Sequence, residues 1–323
     1  EARCLICQRG CFISEGSTGF CGTRINRSGS LYSNIYGLVS VMMVSPVEKK
    51  PFYHFHPGSK WLSLGSYGCN FKCPGCQNWD ISHASPKGKG KFISPEEVVE
   101  IALKKGCRGI SWTYNEPTLW LEYTLDAAKL AKEKGLLTTN VTNGFFTEDS
   151  LDLIAPYLDA SRVDIKGFSK ESYGKIANIG KWEGILDVVE KAKNKYGIHV
   201  EIITNIIPTL NDDPRLLKGI AGWMRDSLGK ETPWHVTRFH PHLDLSHLPS
   251  TPLSTLERAH EIGKEEGLDF VYLGNVPGHK WEDTYCPGCG KVLIKRYIFE
   301  IVANNMEGNR CPECRTEISG RFE

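Results

Sequence analysis

The sequence has almost no net charge: 39 Lys and Arg residues against 38 Asp and Glu leave a formal +1 at pH 7 over 323 residues. Such a balance gives no strong global field, so a nucleic-acid partner is neither implied nor excluded. Long apolar runs are missing too. No stretch approaches the roughly 18 residues of a membrane span, and the opening EARCLICQRG lacks the apolar core of a signal peptide. These absences predict a cytoplasmic protein with no membrane partner. No internal repeat is visible beyond an alternation of strand and helix patterns. The hydrophobic share of 40% and the charged share of 24% are those of an ordinary globular protein, and a chain of this length fits one α/β core with short additions.

Cysteine, by contrast, is plentiful, with 12 in the chain. A reducing compartment gives cysteines no disulfide role, so their placement has to explain them. Cys4, Cys7, Cys11 and Cys21 lie near the start. Cys69, Cys73 and Cys76 form a tight group, Cys286, Cys289, Cys311 and Cys314 lie near the end, and Cys107 stands alone. Three metal sites and one spare, buried thiol is the simplest accounting.

Between residues 61 and 275, short runs rich in β-branched and aromatic residues alternate with helical patterns, the signature of βα units around a parallel sheet. Seven strands are expected, at 61–67, 109–115, 136–143, 160–167, 199–206, 235–241 and 269–275, with one helix in each of the six gaps. The first helix shows its start in SPEEVVEIALKKG: Ser94 caps, Pro95 suits the first helical position, Glu97 completes a capping box and Gly106 ends the run. Parallel α/β folds place ligands at the C-terminal ends of strands. There the chain sets the cysteine loop, Asn115 with Glu116, Thr142 with Asn143, Asp164 with Lys166, Asn205, His240, and Asn275 with His279. Polar groups of this variety at successive strand ends point to a single site.

The segment SYGCNFKCPGCQNWDIS spaces three thiols as CxxxCxxC directly after the first strand. Three soft anionic ligands suit an iron–sulfur cluster better than zinc, which takes four protein ligands in a structural site. On these residues the chain resembles the radical S-adenosylmethionine (SAM) superfamily. The resemblance implies a partial (β/α)6 TIM-like barrel at 61–280 and a [4Fe–4S] cluster on Cys69, Cys73 and Cys76 whose open iron binds SAM. It also implies an electron donor such as ferredoxin or flavodoxin, and reductive cleavage to a 5′-deoxyadenosyl radical that takes hydrogen from a substrate.

Within that superfamily, YNEPT (114–118), TNG (142–144), VDIK (163–166) and FHP (239–241) resemble the pyruvate formate-lyase activating enzyme branch. The resemblance implies that Glu116 and the backbone near Asn115 bind the cofactor's ammonium and that Lys166 binds its carboxylate. It places Asp164 with Thr142 beside a small cation, counts Asn143 of TNG among the cofactor-binding residues, and puts His240 near the adenine or ribose. Val141 stands where the branch carries an Asp, and Gly75 where it carries an aromatic residue, so one cation ligand and one adenine contact are missing. The opening block CLICQRGCFISEGSTGFCGTRINRSGSLY, SPVEKKPFYHFHPGS and CPGCQNWDIS further resemble the radical enzymes of the AmmeMemoRadiSam gene system.

The remaining cysteines flank this core. YCPGCG and RCPECR at 285–290 and 310–315 form two CxxC knuckles, which predict a four-thiolate zinc-ribbon at 281–323 or, with iron, a rubredoxin-like site. The N-terminal extension, 1–60, spaces its cysteines CxxCxxxC with Cys21 nine residues on. There zinc, an auxiliary iron–sulfur cluster and buried thiols all stay open. The expected function is a radical SAM enzyme acting on an unidentified substrate, either a glycyl-radical activator with a protein substrate or an enzyme that modifies RNA or a small molecule. The competing reading is a non-enzymatic zinc protein that binds nucleic acid or protein through the knuckles and the basic runs at 24–29 and 87–91.

Overall fold

In the computed structural model, which describes residues 1–86 and 90–323, the β-branched runs form short parallel strands and the amphipathic segments between them form helices. The expected α/β class with a parallel sheet is what the chain adopts. Of the basic run at 87–91, residues 87–89 lie outside the described residues. The chain divides into two compact units, 1–45 with 60–161 and 181–198, and 46–59 with 162–180 and 199–323. Among the described residues, no helix is long and apolar enough to cross a membrane.

In the first unit, Val41–Pro46, Lys60–Gly65, Gly109–Trp112, Leu137–Thr142 and the start of Ala160–Asp164 follow one another as hydrogen-bonded neighbours. Gly109 pairs in parallel register with Trp61 on one side and Leu137 on the other. A Cβ at Gly109 would lie 2.1 Å from the Leu137 carbonyl oxygen and 2.5 Å from the Trp61 ring, so only glycine fits between these strands. Leu62, Leu64, Ile110 and Trp112 share one core with Val98, Val99 and Ala102 of helix Pro95–Lys104 and with Ala127, Ala128 and Ala131 of helix Leu121–Glu133. Burial of each leucine, valine or isoleucine here contributes about 1.5–3 kcal/mol. The expected capping box is present: Ser94 Oγ accepts from Glu97 N (3.2 Å), and the Glu97 carboxylate accepts from Ser94 N (2.8 Å).

In the second unit, the end of Ala160–Asp164 is followed by His199–Ile206, Trp234–Arg238 and Val271–Gly274, again as neighbours. The last three are parallel, with Trp234 paired to Ile202 and to Val271. After them comes a three-stranded antiparallel sheet, Thr284–Tyr285, Val292–Tyr297 and Glu300–Asn304, whose Leu293 and Ile294 pack with Tyr53, Phe270, Tyr272 and Ile318. A fully buried carboxylate ties this unit together. Glu201 accepts from the backbone N–H groups of Tyr53 (3.0 Å) and His54 (2.8 Å) and from the ring nitrogens of His199 (3.0 Å) and His235 (2.7 Å). Burial alone would raise its pKa, but these donors outweigh burial and hold it well below the usual carboxylate range.

Two expectations need correction. The gap between Ala160–Asp164 and His199–Ile206 holds two helices, Lys170–Ala177 and Glu183–Glu190, not one. Asn178 takes a left-handed conformation (φ 55°) that stops the first of them. The sheet of the first unit also gains a strand that the count of seven did not include, Val41–Pro46, which runs antiparallel beside Lys60–Gly65: Ser40 N donates to the Gly65 carbonyl (2.8 Å) and Val47 N to the Ser59 carbonyl (3.0 Å).

Candidate metal and cofactor site

The strand Lys60–Gly65 delivers the chain into the cysteine loop, and Asn115 fixes the bend. Its Oδ1 accepts from Ser66 N (2.9 Å), and its Nδ2 donates to the carbonyls of Tyr67 (3.2 Å) and Gly68 (3.0 Å). Gly68 turns the backbone at φ +81°, and a Cβ there would lie 2.4 Å from Thr23 Cγ2 and 2.7 Å from the Cys21 carbonyl oxygen. Positive φ and close approach both require glycine at this point. Beyond it, Cys69 Sγ accepts from Phe71 N (3.4 Å), and Cys76 Sγ lies 3.1 Å from Ser82 Oγ. Asn78 Nδ2 donates to the Tyr114 carbonyl (2.7 Å), which joins the far end of the loop to the segment that carries Glu116.

Glu116 is buried among donors. Its Oε1 accepts from Thr118 N (3.1 Å), Thr118 Oγ1 (2.6 Å) and Thr142 Oγ1 (2.7 Å), and its Oε2 accepts from Asn143 N (2.8 Å). Burial pushes its pKa up against the pull of these hydrogen bonds. A carboxylate offers about four lone-pair sites, so the single bond on Oε2 leaves room for one more donor. Asn143 carries the arrangement on to the cysteines: Nδ2 donates to Asn70 Oδ1 (2.7 Å) and lies 3.8 Å from Cys69 Sγ, while Oδ1 accepts from Phe145 N (2.9 Å). Burial first, then the nearby Glu116 carboxylate, pushes the Cys69 thiol well above its ordinary pKa.

Asp164, Lys166 and His240 belong to the second unit. Asp164 Oδ1 accepts from Arg162 Nη1 (2.8 Å), and its Oδ2 lies 4.0 Å from Lys166 Nζ. The Lys166 carbonyl accepts from Asn211 Nδ2 (2.9 Å), and His240 is exposed. The remaining strand-end residues are taken up locally. Asn205 and Asn275 donate to the Arg238 carbonyl, and His279 caps a short turn at Lys280–Glu282.

The two flanking cysteine groups differ in geometry. The ligand atoms of Cys286, Cys289, Cys311 and Cys314 all lie within 4.8 Å of one another, with Sγ–Sγ distances of 3.4 Å (Cys286–Cys314) and 3.7 Å (Cys289–Cys311). A single ion about 2.3 Å from each sulfur sets tetrahedral edges of about 3.8 Å, so this group fits one bound metal ion. Among the described residues it is the one group of three or more potential ligands that converges so closely. Cys69, Cys73 and Cys76 do not close to that distance. Together with the donors on their sulfurs, this fits thiolates spread around a cluster.

The cysteine loop also relies on residues that spacing did not single out: Asn70, which links Asn143 to the loop, Asn78, Ser82, and Arg9, whose Nε donates to the Asn70 carbonyl (2.6 Å). Of these only Asn70, Asn78 and Ser82 lie near the motif in sequence, and polar side chains inside a metal loop were the available signal.

The family model of the Radical SAM superfamily matches residues 64–217. The chain is 44% identical over 321 residues, 98% of its own length and 95% of the relative's, to a Methanocaldococcus jannaschii protein named Uncharacterized protein MJ0808. It is 27% identical over 165 residues, 49% of its length and 67% of the relative's, to the pyruvate formate-lyase-activating enzyme of Clostridium pasteurianum. The fold is similar to the crystal structure of a radical SAM methyltransferase from Sphaerobacter thermophilus, with TM-score 0.51, 15% identity and 68% of each chain covered. The chain belongs to the radical SAM superfamily and is similar to its pyruvate formate-lyase activating enzyme-like branch. Membership implies a [4Fe–4S] cluster and SAM as cofactors.

Proposed function

We propose that Cys69, Cys73 and Cys76 hold the cluster, and that the enzyme uses it to abstract a hydrogen atom from a polypeptide substrate, as an activating enzyme does. The reading rests on one observation, the Asn115-clasped cysteine loop whose Cys69 is tied through Asn70 and Asn143 to Glu116. When bound and reduced by an external donor, the cluster supplies the electron that cleaves SAM to methionine and a 5′-deoxyadenosyl radical. The chain's own residues position and enclose. The free lone pair of Glu116 Oε2 receives the cofactor's ammonium beside Asn115, Thr142 and Asn143 hold the Glu116 carboxylate in place, and the donors at Cys69 Sγ set the cluster's potential. For Asp164, Lys166 and His240, the assignment to the cofactor and to a cation rests on their places in the motifs. Val141 is buried and apolar and offers no cation ligand.

The activating role draws on the named relative. Two measurements test the reading. Anaerobically reconstituted enzyme given dithionite and SAM should release 5′-deoxyadenosine, and Cys73→Ala should abolish it; no nucleoside from the wild type would refute the reading. Incubation with a candidate glycyl-radical partner should give a glycyl electron paramagnetic resonance doublet. Turnover of an RNA or a small molecule in its place would overturn the activating role alone. For the C-terminal four-cysteine group, residues 281–323, we assign zinc: its sulfur spacing fits one tetrahedral ion, and a tail with so small a core gains folding energy from the metal. Metal analysis of wild type against Cys311→Ser should show the loss of one zinc; loss of one iron would overturn that assignment.

A further inference from the structure

The four N-terminal cysteines belong neither to the Cys69 loop nor to the zinc ribbon, yet the fold gathers them. Cys4 and Cys11 face each other across a small hairpin, with Cys4 N donating to the Cys11 carbonyl (2.8 Å) next to the paired strands Ala2–Arg3 and Phe12–Ile13. Cys7 sits on the intervening turn, closed by Gly10 N to the Cys7 carbonyl (3.1 Å), and Cys21 enters from a second turn, closed by Gly22 N to the Gly19 carbonyl (2.9 Å). All four line one small cavity, whose walls include Ile6, Ile13 and Leu119.

The two flanking sites offer an internal comparison. The C-terminal sulfurs have closed to single-ion distances, whereas Cys4, Cys7, Cys11 and Cys21 surround their cavity without converging within 4.8 Å. Thiolates that bind one zinc ion must approach one another; thiolates that bind a cluster are held apart by the iron and sulfide between them. Charge points the same way. A four-thiolate cluster is anionic, and two guanidinium groups line this cavity, those of Arg9 and Arg24. Arg9 lies over the Phe20 ring (3.6 Å to its centre) and close enough to Cys7, Cys11, Cys21 and Cys69 to interact with the charge of each. Arg24 is held by Glu122 and by the Leu119 carbonyl.

We propose that Cys4, Cys7, Cys11 and Cys21 hold a second iron–sulfur cluster of the four-iron, four-sulfide class, adjacent to the one on Cys69, Cys73 and Cys76. The adjacency follows from two contacts inside the first unit. Arg9 donates to the Asn70 carbonyl, one residue from Cys69, and Gly68 packs against the Cys21 backbone. Two clusters so placed would interact magnetically when both are reduced, and the positive charge of their shared neighbour Arg9 would offset part of the repulsion between them.

The test uses the full chain, reconstituted anaerobically with ferrous iron and sulfide. Cys69→Ala/Cys73→Ala/Cys76→Ala should retain about four irons and four sulfides, with the Mössbauer doublet of a [4Fe–4S] centre. Zinc at the N-terminal cysteines, or no labile sulfide in that variant, would overturn the proposal. Because the triple variant removes loop contacts, the wild type provides a second reading. It should bind about eight irons and eight sulfides, against about four of each for Cys7→Ser/Cys11→Ser, and the doubly reduced wild type should show a broadened electron paramagnetic resonance signal that sharpens in the double variant. A wild type with about four irons and a second zinc would overturn it. None of these readouts depends on nucleoside formation, so this inference and the proposed activity fail separately.

Discussion

Mild acid should destabilise the unit built from 46–59, 162–180 and 199–323, and His54 should account for a measurable share of the loss. The ring of His54 is completely buried between Phe270 (4.4 Å between centres) and Phe322 (5.3 Å). Its Nδ1 lies 2.7 Å from the Ser319 carbonyl, which only accepts, so Nδ1 carries the proton. Nε2 therefore accepts from the Tyr272 hydroxyl at 2.6 Å, and Tyr272 in turn meets Thr284 at 2.9 Å. A second proton on the ring would oppose the Tyr272 O–H and leave a charge among aromatic rings; burial lowers the pKa to about 3. The unfolded chain titrates near 6.5. With the folded value below the unfolded one, the unfolded state takes up the proton first, so stability is complete above about pH 6.5 and declines as pH falls toward 3. At pH 5 the deficit is 1.5 units at about 1.36 kcal/mol each, about 2 kcal/mol. His235, its pKa lowered by burial, adds to the loss in the same direction. Urea unfolding at pH 8 and pH 5 should show the difference in wild type, and His54→Asn, whose amide keeps a donor toward Ser319, should show about 2 kcal/mol less of it. Equal pH sensitivity in the two proteins would refute the reasoning.

Other perturbations report on the site. Asn143→Ala removes the donor to Asn70 and a side-chain amide 3.8 Å from Cys69 Sγ, so stability should fall by about 1–3 kcal/mol and the cluster's reduction potential should move to more negative values; an unchanged potential in a redox titration would show that this amide does not act on the cluster. Gly68→Ala meets both a left-handed backbone and the Cys21 carbonyl, and should lower iron retention after gel filtration well below that of wild type. Ser94→Ala, which breaks the capping box far from any cysteine, should cost about 1 kcal/mol in urea unfolding and leave iron content as it was. Removal of the C-terminal metal by a chelator should increase hydrogen exchange across Val292–Tyr297 while sparing Gly109–Trp112, because only the former shares a core with Cys286 and Cys311.

How far the sequence could be read depended on the range of the interaction. Period-two and period-3.6 patterns are local, and they located the seven expected strands and the capped start of Pro95–Lys104. They missed Val41–Pro46, whose VMMVSP leaves Met42, Met43 and Val44 exposed and buries only the polar Ser45. They also missed Lys170–Ala177, a two-turn helix in a segment punctuated by Gly167, Gly174 and Gly180, although Ser169 caps it and Tyr173, Ile176 and Ala177 form its buried side. The thiols announced themselves by spacing. Their supports did not, because Arg9 reaches Asn70 across 61 residues and Asn143 reaches it across 73, and no local pattern encodes such a meeting. Asn115 was picked out for a cofactor, and its side chain turned out to grip the backbone of 66–68.

That grip bears on how the enzyme matures and ages. The bend before Cys69 is fixed by one asparagine side chain, which accepts one backbone hydrogen bond and donates two, none of which involves a metal. If this loop holds the proposed cluster, the bend would already be formed before iron is delivered, and a cluster lost to oxygen would leave behind a shaped socket instead of a loose end. Oxidative loss of that cluster would then be an event that re-supply of iron and sulfide reverses, with no need to unfold and replace the protein.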